Sequence, residues 1–497
     1  MSLSALLGVI ALAGAAQAQV VTRKPYIQQG SPTSAVVAWR TLPASESVVR
    51  YGLDPGRLDQ IVAAPEPVIH HEVRLQGLEP DTRYFYSVGT RQRALAGGDT
   101  EHSLRTAPLP GARRRLRIWA VGDSGTGGEA QRAVRDAMLS HVGDEKPDVF
   151  IHLGDMAYRS GESLEFEFRF FDVYAPILRN TVVWPTLGNH EGRSSSASAQ
   201  RGPYFDGFAL PTRGECGGVA SGTEAYYSFD FGNVHFIVLD STGSPRGPEG
   251  EMLRWLRRDL AGSSADWMIA FWHHPPYSKG SHDSDREREL VEMRQSATPI
   301  LEAAGVDLVL GGHSHAYERS FLIRRAAGAR LEAEILDGGD GRVEGDGAYR
   351  KARGASGAVY VVAGHGGAPV SLKGHHPLMR FVEAKNGSCL IDVEGDALTL
   401  TNLRADGQIT DRFTILKGAA EAPRSPSGGD PPGESADPVA PVVVRPGALI
   451  QAPGGAEAEG GCGCALAGGA QGGAAPWAVG LGLAAVGWRR RRRAIRP

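Results

Sequence analysis

This chain contains few cysteines and has a small net charge. Only 4 of its 497 residues are cysteines, and two of them, Cys216 and Cys389, lie in the stretches that are typical of folded domains. At most one disulfide can therefore join these two residues, and the sequence leaves open whether they pair in an oxidising compartment or stay free. The formal net charge is only -3, so no nucleic acid or other polyanionic partner is expected.

The N-terminal segment also lacks lysine and arginine. It is apolar from Leu3 to Ala16 and then continues Ala16-Gln17-Ala18, a cleavage pattern of small residues. This pattern predicts a signal peptide over residues 1–18, with a buried helix as the alternative, because the segment is too short for a confident membrane span. The protein is therefore expected to be exported, and to be extracellular or attached to the cell surface.

Two folded regions follow. Residues 20–108 contain short alternating runs separated by Gly, Pro and Asp turns, which predicts an all-β sandwich with Trp39 in its core. Residues 115–417 alternate apolar strands with amphipathic helical stretches, which predicts an α/β domain.

The C-terminal part has a different composition. Residues 418–460 are rich in Ala, Gly, Pro, Ser and Glu and are expected to form a flexible linker. Residues 461–497 contain Cys462 and Cys464, an apolar stretch to Trp488, and an arginine cluster. A membrane-length segment before an arginine cluster obeys the positive-inside rule, and a disordered tail is the alternative.

Metal-capable side chains follow five apolar runs of the α/β region. Each of the five motifs stands directly after such a run: Gly122-Asp123-Ser124-Gly125, Gly154-Asp155-Met156-Ala157-Tyr158, Gly188-Asn189-His190-Glu191, His273-His274-Pro275-Pro276 and Gly312-His313-Ser314-His315. Because ligands gather beyond the carboxyl ends of strands in α/β folds, these side chains are expected to converge. A single Gly-Asp is an ordinary turn, so the prediction depends on the ordered set.

The residue types indicate metal chemistry. Carboxylates, an amide oxygen, a phenol and imidazoles suit iron, zinc or manganese and suit copper(I) poorly. Seven candidate ligands are too many for one tetrahedral site but fit two ions bridged by a carboxylate. His274 rivals His273 as a ligand, although strand alternation would send the two rings to opposite sides.

These five motifs resemble those of the purple acid phosphatases, which belong to the calcineurin-like metallophosphoesterases. The resemblance implies a four-layer α/β sandwich of two mixed sheets flanked by helices, preceded by an all-β domain similar to fibronectin type III. It further implies a binuclear metal centre with Fe(III) and a divalent zinc, iron or manganese ion. Carried over by motif, the ligands are Asp123, Tyr158 and His315 for Fe(III), Asn189, His273 and His313 for the divalent ion, and Asp155 as the bridge.

Two further histidines are candidate catalytic residues. His190 stands next to a ligand, and imidazole titrates near neutrality, so it can donate a proton to a leaving group; the alternative is a role in orienting Asp155 or Glu191. His282 resembles in position a histidine that contacts the substrate phosphate in plant members of the family, and a solvated histidine is the alternative.

The predicted function is hydrolysis of small phosphate monoesters by in-line attack of a metal-activated hydroxide. A phosphodiesterase or nucleotide hydrolase on the same bimetal site is the nearest alternative, and a cell-surface binding protein with a degenerate site is a second. The tail over residues 461–497 resembles the C-terminal sorting tag of myxobacterial surface proteins, which implies attachment to the membrane or cell surface.

Overall fold

The computed structural model describes residues 19–325 and 333–418, together with the backbone of residues 443–444. The predicted signal peptide over residues 1–18, nearly all of the linker over 418–460 and the tail over 461–497 lie outside the described residues. Within the described part of the chain, none of the helices is both long and apolar enough to cross a bilayer.

The N-terminal domain is all-β, as predicted. Its strands are β1 (Val20–Gln28), β2 (Ser34–Gly52), β3 (Gln60–Gln76), β4 (Arg83–Gly89), β5 (Ala94–Gly97) and β6 (Ser103–Arg105). Trp39 is fully buried and stacks on the ring of His71 at 4.4 Å between centroids. The backbone N–H of Glu79 donates to the hydroxyl of Tyr84 at 2.9 Å, which pins the corner that leads into β4.

The second domain is an α/β sandwich built on two mixed sheets, again as predicted. Its strands are β7 (Leu116–Val121), β8 (Val149–His152), β9 (Val182–Pro185), β10 (Tyr227–Phe231), β11 (Val234–Val238), β12 (Trp267–Trp272), β13 (Leu308–Gly311), β14 (Tyr317–Arg325), β15 (Ala333–Asp337), β16 (Tyr349–Lys351), β17 (Ala358–Ala363), β18 (Met379–Glu383), β19 (Gly387–Glu394), β20 (Ala397–Arg404) and β21 (Ile409–Lys417). The backbone of β22 (Val443–Val444) pairs with β15.

Helices flank these sheets. They are α1 (Glu129–Val142), α2 (Ser163–Phe166), α3 (Asp172–Leu178), α4 (Pro203–Gly207), α5 (Glu251–Gly262), α6 (Arg288–Ser296) and α7 (Thr298–Ala303), with a π-helical segment at Glu167–Phe171 and a 3-10 turn at Glu191–Arg193. In α5 the apolar side chains recur at helical spacing, so that Met252, Leu256 and Leu260 lie on the buried face.

The sheet order explains how distant motifs meet. In the first sheet β7, β8 and β9 are parallel neighbours, and in the second sheet β12 and β13 are parallel neighbours. All five strands are buried almost throughout, which fits their continuous apolar sequences. Their carboxyl ends face one common edge, and the loops at that edge carry the five motifs.

The two domains contact each other in addition to being connected through residues 109–114. The first sheet continues from β9 into β1 through the pair Ile27 and Val182. Glu167 of the π-helical segment accepts hydrogen bonds from Arg40 at 2.7 Å and from Nε of Arg23 at 3.0 Å. Because Arg23 is only 5% exposed, this carboxylate stabilises its buried charge, and the ion pair ties the sandwich to the second domain.

Among the residues that the structure describes, neither domain has a disulfide. Cys216 and Cys389 are both free and buried, and burial raises the pKa of both thiols. The question that the sequence left open is thus answered for these two residues, and raised thiol pKa values do not suit nucleophilic chemistry.

A buried charged triad lies outside the common strand edge. His235 is held between Asp230, at 2.6 Å from Nδ1, and Asp259, at 3.0 Å from Nε2. Burial disfavours the charged ring, but the hydrogen bonds and charges of the two aspartates raise the pKa of His235 to about 9. The imidazolium therefore persists well above neutral pH.

This triad predicts a pH dependence of stability. The pKa of His235 is raised on folding, so its contribution is complete below the unfolded pKa near 6.5 and is lost as the pH rises through about 9. The shift of the pKa from 6.5 to about 9 limits the contribution of His235 to the free energy of unfolding to about 3 kcal/mol. As the pH rises between these two values, we expect the melting temperature of the parent protein, measured by calorimetry, to fall relative to that of His235→Gln. A difference in melting temperature that does not change with pH would contradict the assignment.

Candidate metal centre

The turns at the common edge hold several ligand candidates in an unusual backbone conformation. Asp123, Asp155 and His313 have φ values of 55°, 57° and 64°, in the left-handed region that side chains other than glycine rarely adopt. Each follows a glycine at a strand end. Such strain persists only where the surrounding structure fixes it, and it is concentrated at functional sites.

Close packing explains why one of these turns requires glycine. A Cβ atom on Gly188 would lie 2.2 Å from the backbone nitrogen of Asp155 and 2.3 Å from its Oδ1. The turn before Asn189 can therefore approach Asp155 only without a side chain. This approach brings the ends of β8 and β9 into one site.

The structure brings the residues of the first predicted ligand set close together. The hydroxyl of Tyr158 donates to Oδ1 of Asp123 at 3.2 Å and lies 3.1 Å from Nε2 of His315. Nδ1 of His315 faces the carbonyl oxygen of Pro369 at 3.2 Å, so that Nε2 points to the site. Asp123 is fully buried.

The second predicted set lies beside it. Oδ1 of Asn189 is 2.9 Å from Nε2 of His273 and 3.0 Å from Nδ1 of His313. Oδ2 of Asp155 is 3.5 Å from Nε2 of His273, which places this carboxylate between the two sets. The position of Asp155 fits its predicted bridging role.

The proton positions on two histidines indicate that a cation belongs in the second set. Nδ1 of His273 donates to the carbonyl oxygen of Leu153 at 2.8 Å, because a carbonyl oxygen can only accept, and in the neutral ring this leaves the lone pair on Nε2. Burial lowers the pKa of His313 to about 4, so that ring is neutral, and its Nε2 faces the carboxylate of Glu287 at 3.4 Å. Three acceptor atoms thus face one another at about 3 Å, an arrangement that suits metal ligands oriented by outer partners.

The buried charges of the site point the same way. Asp123 and Asp155 are 0% and 1% exposed, and no described lysine or arginine forms an ion pair with either. Burial and the charges of Asp123, Asp155 and Glu191 raise the pKa of Tyr158 well above its usual range. A bound trivalent ion would reverse this effect and favour the phenolate, so the donor set fits two metal ions.

Glu191 holds the loop of Asp155 and the loop of Asn189 together. Its carboxylate accepts hydrogen bonds from the backbone N–H groups of Asp155 at 2.8 Å, Ala157 at 3.0 Å and Gly188 at 3.0 Å. Burial and the neighbouring charge of Asp155 raise the pKa of Glu191 well above its usual range. Glu191 therefore fixes the loops by hydrogen bonds to the backbone.

His190 lies at the mouth of the site. Its backbone N–H donates to Oδ1 of Asp155 at 3.0 Å, and its Nδ1 donates to the carbonyl oxygen of Arg159 at 2.6 Å. Nε2 of His190 is then directed to the centre, 3.8 Å from Oδ2 of Asp155. The ring lies 4.4 Å from the ring of Tyr158.

His282 reaches the same mouth, on the side of the second set. Its ring lies 3.9 Å from the ring of His313, and its Nδ1 is 2.7 Å from Oε2 of Glu287. The motif patterns did not indicate Glu287, whose only local signal is its place in a polar loop before α6. Hydrogen bonds from His313, the backbone of Asp283 and His282 outweigh burial and lower the pKa of Glu287 to about 2.

The expected separation of His273 and His274 is wrong. His274 is buried, with its ring 4.9 Å from that of His273 and 4.4 Å from that of His313. Strand β12 ends at Trp272, so strand alternation does not apply to the two histidines that follow. Nδ1 of His274 is 2.8 Å from the hydroxyl of Ser241, which orients the ring beside the second set.

Comparisons with known proteins find similar families for both domains. The calcineurin-like phosphoesterase family matches residues 116–317, and the purple acid phosphatase N-terminal domain family matches residues 23–106. Among curated relatives, purple acid phosphatase 15 and purple acid phosphatase 23 of Arabidopsis thaliana are 31% and 32% identical, each over 51% of this chain. This chain spans about half the length of those relatives, 49% and 57% respectively.

A solved structure extends the similarity to the fold. Purple acid phosphatase from yellow lupin (Lupinus luteus) seeds superposes with a TM-score of 0.59 and 18% identity, over 79% of this chain and 74% of that chain. The two-sheet architecture with a leading all-β domain is therefore that of a known fold.

The role of Glu287 can be tested by metal binding. Replacing it by glutamine would remove the negative charge that faces His313 and would weaken the preference for the tautomer with a free Nδ1. We expect Glu287→Gln to bind zinc about 10- to 100-fold more weakly, measured by equilibrium dialysis against a competing chelator.

Glu289→Gln is the matched control, because Glu289 lies two residues further along and pairs with Arg246 outside the site. Equal zinc affinity of the Glu287 variant and this control would show that Glu287 does not support the metal centre.

Proposed function

We propose that this chain is a purple acid phosphatase, a binuclear metal-dependent phosphatase that hydrolyses phosphate monoesters, because family models match both of its domains in order and curated relatives carry that name. In this proposal Asp123, Tyr158 and His315 hold Fe(III), and Asn189, His273 and His313 hold a divalent zinc, iron or manganese ion. Asp155 bridges the two ions.

One observation carries the proposal. Oδ1 of Asn189 lies within 3.0 Å of ring nitrogens of both His273 and His313, and the outer partners of the two rings direct lone pairs to this point. Without a cation, such acceptors would repel one another. The ions would neutralise charge on the phosphoryl oxygens and activate the attacking water.

His190 is suited to assist the leaving group. Its Nδ1–H is held by the carbonyl oxygen of Arg159, so in the protonated ring Nε2–H is free to donate into the site. An alkoxide that departs from phosphorus would take this proton, and the neutral ring would then be left with a lone pair on Nε2. The backbone bond to Asp155 fixes the distance between this ring and the centre.

His282 would bind a phosphoryl oxygen from the opposite side. Its Nδ1 bonds to Glu287, which directs Nε2 away from that carboxylate and makes it available to an anion. With His190 and His282 at two sides of the mouth, a phosphate group would receive donors from both. This arrangement would hold the ester in line with the attacking water.

The proposal includes export and attachment. It is supported by the signal-peptide pattern of residues 1–18 and by the cysteine, apolar and arginine pattern of residues 461–497. The partners are then small phosphate esters outside the cell, with the tail as the means of attachment to a membrane or cell surface.

Substrate preference tests the proposed function. We expect the full chain, reconstituted with iron and zinc, to hydrolyse an aryl phosphomonoester with a higher kcat/KM than the matching diester. A preference for the diester would keep the metal centre and make the protein a phosphodiesterase. No turnover of either ester would favour a binding protein with a degenerate site.

The division of roles between Asp155 and His190 gives a second test. Asp155→Ala removes the bridging carboxylate and should lose bound metal together with activity. His190→Ala should retain both metals and lower kcat by about 10²- to 10⁴-fold, the usual contribution of general acid catalysis. Metal content by atomic emission and kcat on the same samples check both, with His141→Ala of α1 as the control histidine. Equal metal loss in the Asp155 and His190 variants would contradict this division.

A further inference from the structure

Two arginines at the mouth of the candidate centre form no ion pair with any acidic residue in the described part of the chain. Arg159 directly follows the predicted ligand Tyr158, and Arg193 ends the 3-10 turn that begins after His190. Both side chains are exposed, and neither forms an ion pair with a carboxylate of the residues that the structure describes. Their positive charges are therefore available at the mouth.

One backbone carbonyl fixes Arg193 beside the proposed proton donor. The carbonyl oxygen of Arg159 accepts from Nδ1 of His190 at 2.6 Å and from Nη1 of Arg193 at 3.1 Å. The two nitrogens are thus held within two hydrogen-bond lengths of each other. The guanidinium of Arg193 thus lies on the Nδ1 side of the His190 ring, where a leaving group that extends outward from a phosphate on Nε2 would approach it.

The carboxylates of the surrounding loops are already engaged. Glu165 accepts from the backbone N–H of Arg159 and Ser160 and pairs with Arg169. Glu191 is buried on backbone donors, and Glu287 is held by His282. No acidic group of the described mouth is therefore free to neutralise Arg159 or Arg193, and an anionic ligand would be the partner that they lack.

We propose that Arg159 and Arg193 make the site selective for phosphate monoesters whose leaving group carries a second anionic group, either a carboxylate or a further phosphate. This inference rests on the proposed phosphatase function and names its substrate class. The two guanidinium groups bind the second anion at the mouth while the first phosphate occupies the metal centre.

The expected size of the effect follows from exposure. Exposed charge pairs contribute modestly, about two- to fivefold in affinity for each arginine, and salt screens them. The second anion contacts the arginines both before and during the reaction, so the effect should fall on KM and leave kcat nearly unchanged.

The test compares three aryl esters on the full chain reconstituted with iron and zinc. 4-Carboxyphenyl phosphate carries the second anion, 4-carbamoylphenyl phosphate is its neutral counterpart, and 1,4-phenylene bisphosphate carries a second phosphate. We expect the parent protein to prefer either anionic ester over the neutral one by about 4- to 25-fold in kcat/KM at low ionic strength. The larger preference identifies which anion the mouth favours.

Variants assign this preference to the arginines. The double variant with Arg159→Gln and Arg193→Gln should bring the preference for the anionic esters close to one. Lysine in place of glutamine at position 193 of this variant, Arg193→Lys, should restore part of the preference because the positive charge returns. Arg57→Gln is the control, since Arg57 is an exposed arginine of the sandwich domain, 79% accessible. Turnover of the neutral ester should be similar in all of these proteins.

The outcomes separate the two claims. Equal kcat/KM for the neutral and anionic esters in the parent protein, or an unchanged preference in the double glutamine variant, would overturn this inference and leave the phosphatase function standing. Failure to hydrolyse all three esters would overturn both.

Discussion

The whole site depends on two buried carboxylates that form no ion pair with a described lysine or arginine. Asp123 and Asp155 lie at the edge where both sheets end, and no described lysine or arginine neutralises them. Buried charge is stable only when it is paired or bound to metal. The surrounding histidines orient lone pairs to the same region, so the fold brings together an anionic, acceptor-rich site whose chemistry suits a cation. Backbone hydrogen bonds hold the left-handed conformation at both aspartates: the N–H of Asp123 donates to the carbonyl oxygen of Gly154, and the N–H of Asp155 donates to Glu191.

Much of this arrangement could be predicted from local sequence. An apolar run followed by glycine and a polar side chain marks a buried strand and the turn at its end, and parallel strands bring such turns to one edge. For that reason the residues of all five motifs lie together. Local patterns did not predict the position of His274. Side chains alternate between the two faces of a strand, but β12 ends at Trp272, so the alternation does not extend to His273 and His274.

Other parts of the structure depend on contacts between distant residues and leave no local signal. Glu287 reaches His313 only because its loop folds back over the second ligand set. Arg23 and Glu167 are 144 residues apart, and their ion pair forms only once the sandwich has packed against the π-helical segment. A single charged residue in a polar loop looks the same in sequence whether it is solvated or holds a ligand. Only the fold distinguishes the two.

The residues proposed to carry out the reaction are different from those proposed to determine substrate preference. Metal ligands must keep fixed distances, so their positions at the strand ends leave little freedom, while exposed side chains at the mouth have no such constraint. The carbonyl oxygen of Arg159 contacts both groups of residues, because it orients the ring of His190 and also accepts a hydrogen bond from Arg193. A change in the backbone there would alter both the proton donor and the mouth, whereas a change confined to a guanidinium group leaves the carbonyl in place. Substrate preference in this fold can therefore change through side chains beside the histidine without disturbing the position of the histidine itself.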